Sequence, residues 1–127
     1  MAILRGKPSR CDSALHQSGR WRLSQNRAMA DALDAFVSSL DREAAPVGAT
    51  PMLRAVWHGL HGEWDAAHQL AQAQNDAEGA WVHAWLHRIE GDLGNADYWY
   101  RHAGRPSRRD DTRDEGLEIA RALLRST

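Results

Sequence analysis

His83, His87 and Glu90 lie close together in the sequence and have the types and spacing for chemistry. On a helix, residues four and then three apart form one stripe, so both imidazoles and the carboxylate face the same way. Two histidines at i and i+4 chelate a divalent metal. His58 and His61 occupy the matching stripe of an earlier segment, so the candidate metal ligands are His83, His87, Glu90, His58 and His61. No cofactor is expected by default, and a divalent metal is the alternative. A metalloprotease helix needs Glu directly after its first His; Ala84 stands there, so hydrolytic zinc chemistry of that class is not supported. The favoured reading of the stripe is structural. In it the imidazoles hydrogen-bond Glu90, Tyr98, Tyr100 or backbone, and pack their ring faces on Trp. Metal or small-ligand binding comes second and acid–base catalysis third. For a small ligand the candidates are His83, His87, Glu90, Asn95, Tyr98, Trp99 and Arg101. No Gly-rich phosphate loop, nucleophile elbow or Cys–His arrangement is present.

These residues need a scaffold, and the stretch from Trp81 to Pro106 supplies one. It reads as two helices, from about Glu78 to Glu90 and from Leu93 to Ala103, joined at Glu90-Gly91-Asp92. Gly91 suits the left-handed residue that ends a helix, and Asp92 suits the next N-cap. Trp81, Val82, Trp85, Leu86 and Ile89 share the apolar side of the first helix, with Ala84 and Arg88 elsewhere. Ala96, Trp99, Tyr100 and Ala103 share one face of the second, and Asp97 with Arg101 forms an exposed pair on the other. Met52 to Trp64 lies over Trp81 to Leu93 at an offset of 29: Met52 on Trp81, Val56 on Trp85, Gly62 on Gly91, Ala67 on Ala96. Arg54, His58 and His61 fall on His83, His87 and Glu90. This reads as two copies of one helical hairpin. A helix at Ala30–Leu40, carrying Leu33, Phe36, Val37 and Leu40, precedes them. A last helix with Leu117, Ala120 and Leu124 follows a capping-box signature at Thr112 and Glu115 and covers the second hairpin. Gly116 weakens that helix by about 1 kcal/mol relative to Ala. The fold predicted is all-α: two tandem hairpins between an N-terminal and a C-terminal helix.

Gly91-Asp92, Ala96, Tyr100 and Ala103, with Pro106 trailing, resemble the turn and second helix of a tetratricopeptide repeat. The offset of 29 is shorter than that family's period, and His83 and His87 stand where it places Leu and an aromatic. A longer string is similar to a group of uncharacterised bacterial and fungal proteins. It runs Trp81, His83-Ala84, His87-Arg88, Glu90, Asp92, Asn95-Ala96, Tyr98-Trp99, Arg101 and Gly104. That resemblance covers about residues 30–106 and implies boundaries, without implying an activity.

At 127 residues the chain has one domain's worth of sequence, with 43% hydrophobic residues. Residues 1–28 hold six Lys or Arg against one acid, and residues 29–104 hold four Arg against eleven acids. The expected division is a basic arm, 1–28, and a single α-helical domain, 29–127. The arm reads first as a disordered tail or as translation from upstream of Met29, and as dispensable for folding. An Arg-rich organellar presequence and a polyanion-binding arm are the alternatives. The acidic body argues against nucleic-acid binding except through the arm. Cys11 is the lone cysteine, which removes internal disulfides and cysteine-based zinc sites and fits a reducing compartment. No apolar run is long enough to span a bilayer, and no secretory signal is expected. The leading expectation is a cytoplasmic helical-hairpin module binding a protein or peptide, and not an enzyme. The alternative is a metal- or small-ligand-binding protein using the His/Glu stripe.

Overall fold

A computed structural model describes residues 27–28 and 30–125. Residues 1–26, most of the basic arm, lie outside the described residues. The chain divides into two units, Met1–Ala32 and Leu33–Thr127. In the first, residues 27, 28 and 30–32 are helical. The second carries the core and the site. Its regular secondary structure is all helical, with no strand among the described residues.

In this second unit residues 33–39 form α1. They are followed by α2 (Pro51–Leu60), α3 (Trp64–Gln72), α4 (Ala77–Glu90), α5 (Leu93–Ala103) and α6 (Thr112–Arg125). Local chemistry sets most of the ends. The Thr50 hydroxyl accepts from Leu53 N at 3.3 Å, and Pro51, with no N–H to satisfy, opens α2. Asp76 accepts from Gly79 N at 2.8 Å to start α4, and Asp92 from Asn95 N at 3.2 Å to start α5. Gly91 ends α4 with φ 89°, and Gly62 takes φ 87° at the matching position between α2 and α3. Glu63 makes no side-chain cap on α3, because its longer carboxylate turns back to His58 Nδ1 at 2.8 Å.

The capping box predicted at Thr112 and Glu115 does not form. Asp111 Oδ1 accepts from Arg113 N and Asp114 N, at 2.8 and 3.2 Å, and Glu115 turns inward. Asp97 pairs with Arg109 at 3.1 Å instead of with Arg101. The loop after α5 brings Arg109 to it, which helical spacing alone cannot reveal.

α2 packs on α3, α4 on α5, and α3 on α4. α6 lies across α2 and α4, the first helices of both hairpins, instead of covering the open face of the second hairpin. This makes α4 the central helix, and its residues from Gly79 to Arg88 are all buried. Ala84 and Arg88 are therefore buried as well as the expected apolar stripe, while Ile89, expected inside, is 38% exposed.

Trp85 marks where three helices meet. A Cβ at Gly59 of α2 would lie 2.6 Å from its indole, and one at Gly116 of α6 only 2.5 Å. Gly116 thus lets α6 pass against that ring, an approach that any side chain would block. The buried indoles find acceptors for their N–H groups, as burial requires. Trp85 donates to Thr112 O at 2.6 Å, Trp64 to Leu86 O at 2.6 Å, and Trp57 to Ser39 Oγ at 3.0 Å. Trp81 donates to Glu115 Oε2 at 3.0 Å.

Candidate functional site

His83 and His87 sit on the side of α4 that faces α3, where they are 5% and 6% exposed. α3 adds a third imidazole. Trp64 and His68 are four apart on α3 and stack, with ring centres 4.6 Å apart. This brings His68 Nε2 to 2.9 Å from His83 Nε2. One ligand nitrogen from each of His68, His83 and His87 can be chosen so that all three lie within 4.8 Å of one another. Imidazole is a ligand for zinc, copper and nickel, so this trio could hold a divalent metal.

The rings around the trio hold it in place. Trp99 of α5 stacks on His83 at 4.0 Å with 14° between the planes. His87 Nδ1 meets Glu90 Oε1 at 2.6 Å. A proton held on Nδ1 by that carboxylate leaves Nε2 as the lone pair, the usual orienting contact behind a metal-binding histidine. Burial first, and then the neighbouring His68 and His87, push the His83 imidazole down to about 4. Burial and His87 also lower His68. Both rings are therefore neutral at pH 7, the form that ligates a metal.

No known protein family, curated protein or solved structure matches the chain.

The candidates named from the sequence separate into groups. His83 and His87 are in the trio, and Glu90 stands behind His87 on the Nδ1 side. Trp99 is against His83. Tyr98 is exposed and meets Trp99 and His102 edge-on, at 5.2 and 4.4 Å. Asn95 is exposed and bonds Asp92 at the start of α5, and Arg101 is exposed on the same helix. His58 and His61 do not join the trio. They flank Glu63 at the end of α2, at 2.8 and 3.4 Å, and His61 stacks on Trp57 at 4.4 Å. The matching stripe of α2 therefore faces a different neighbour from that of α4.

His68 was missed because it lies on α3, outside the two matching stripes that hold His83, His87 and Glu90 and Arg54, His58 and His61. Its sequence signal was the Trp64/His68 spacing of four, which becomes meaningful only once α3 is known to pack on α4. The second cluster missed is Glu115 with Arg88, Tyr100 and Trp81. It is buried, with Arg88 Nη1 and Tyr100 Oη each 2.5 Å from Glu115 Oε1. Arg88 also donates to the Asp110 carbonyl. Burial first, and then Glu115, push the Tyr100 phenol up, so it stays a protonated donor.

The depressed His83 value has a consequence for stability. The unfolded chain takes up this proton near 6.5, whereas the folded chain takes it up near 4. The contribution is fully present above pH 6.5 and is lost as pH falls toward 4, because the unfolded state then binds more protons. The loss is on the order of 3 kcal/mol. The melting temperature of metal-free protein is expected to fall across this window, and His83→Gln is expected to flatten the dependence. An equally steep fall in His83→Gln would assign it to other groups.

Proposed function

We propose that this chain is a helical module that binds a divalent transition-metal ion through His68, His83 and His87. The observation that carries the reading is His68, whose Nε2 lies 2.9 Å from that of His83. It turns two histidines on one helix into three donors from two helices. Glu90 behind His87 adds the orienting carboxylate such sites use. At zinc–nitrogen distances of about 2.0–2.1 Å, tetrahedral geometry separates two ligand nitrogens by about 3.3 Å. His68 and His83 need to part only slightly.

Zinc titrated calorimetrically into protein without an affinity tag is expected to bind one ion per chain. His68→Ala and His83→Ala are each expected to weaken binding at least tenfold, and Glu90→Gln by about 10- to 100-fold. His58→Ala and His61→Ala serve as unaffected controls. At a hundredfold excess over Kd, the metal stabilises the fold by about 3 kcal/mol. Binding that survives His68→Ala unchanged overturns the assignment.

A second reading keeps the two hairpins as copies of one tetratricopeptide-like unit whose role is to bind a protein or peptide. Ile89 and Leu93, exposed on either side of the Gly91 turn, and the exposed Tyr98 support it. They offer only three large apolar side chains, so the metal reading has the stronger support.

A further inference from the structure

We infer, resting on the metal reading above, that the bound ion keeps an open coordination position toward the cavity beside His83 and takes a small carboxylate ligand there. Zinc held structurally is closed by four protein donors, whereas three protein donors leave a position for water or another ligand. Among the described residues no fourth His, Cys, Asp or Glu joins the trio. Glu90 and Asp92 group with His87 alone, and the Glu90 carboxylate is engaged at His87 Nδ1.

The space next to the trio is suitable. A cavity of about 400 Å³ lies against His83 and Trp99 and is lined also by Gln72, Asn75, Asp76 and His102. That volume falls in the usual range for small-molecule sites, about 300–1,000 Å³. Its carboxylate, Asp76, is already engaged as the cap of α4, accepting from Gly79 N at 2.8 Å and from Gln74 Nε2 at 3.0 Å. Gln72 and Asn75 contribute amide donors, and the ion supplies positive charge. One carboxylate oxygen on the metal and the other toward those amides satisfies both.

The test uses full-length protein loaded with Co²⁺, whose visible absorption reports coordination, and acetate as the probe. Saturable change of the cobalt spectrum by acetate is expected in the wild type. It is expected to be lost in Asn75→Trp, which fills the cavity from an exposed position in the loop between α3 and α4, off both helices that carry the trio. A cobalt spectrum that acetate leaves unchanged overturns the open position while the metal reading stands. An equal response in Asn75→Trp overturns the placement in the cavity. Failure of the wild type to take up Co²⁺ removes the metal reading and this inference together.

Discussion

Glu115→Ala is expected to destabilise the fold by about 3–5 kcal/mol, the cost of leaving a buried charge without its partner. Glu115 is 0% exposed and receives Arg88, Tyr100 and Trp81 on its two oxygens. Removing it leaves the Arg88 guanidinium, whose side chain is 4% exposed, with Asp110 as its remaining partner, and takes the acceptor from a phenol and an indole N–H. Each unmet donor adds to the cost. The double variant Arg88→Met with Glu115→Gln removes the charges and keeps one acceptor oxygen, for the Trp81 N–H, while the amide NH2 donates to the Tyr100 oxygen. It is expected to cost less than Glu115→Ala alone. Urea-unfolding midpoints compare the variants, and a double variant as unstable as the single one would show that charge burial is not the cause.

Ala96→Arg carries the other large effect, on the order of 4–5 kcal/mol from overpacking and a buried charge. Ala96 is 0% exposed on α5, which packs on α4, and Ala67 is equally buried at the matching position on α3. Asp97→Arg, next in sequence, breaks only the surface contacts to Arg109 and Ser107 and is expected to change the melting temperature little. Both variants are read by thermal melting, and similar losses at the two positions would mean that the α5 face is misassigned.

The sequence by itself determined the all-α class and most of the helix ends. Gly91 and Asp92 stop one helix and start another through contacts within a few residues, and so do Thr50 and Asp76. Ala96 and Tyr100 are buried together because helical spacing puts them on one face. His83 and His87 were legible as a pair for the same reason, as was the carboxylate of Glu90 beside them.

Only the tertiary structure decided what that pair meets. His68 reaches His83 because α3 packs on α4, a contact between residues 15 apart that no periodicity encodes. Glu115 meets Arg88 because α6 returns across α2 and α4, which makes α4 buried all round. A single-helix pattern divides residues into an inside and an outside, and it fails for a helix enclosed on every side. His58 and His61 share the stripe of His83 and His87 but face Glu63, since the outcome for a side chain depends on its neighbouring helix as much as on its own. Local hydrogen bonds and spacing operate over one or two turns, whereas the trio and the Glu115 cluster form only when separate helices close on one another.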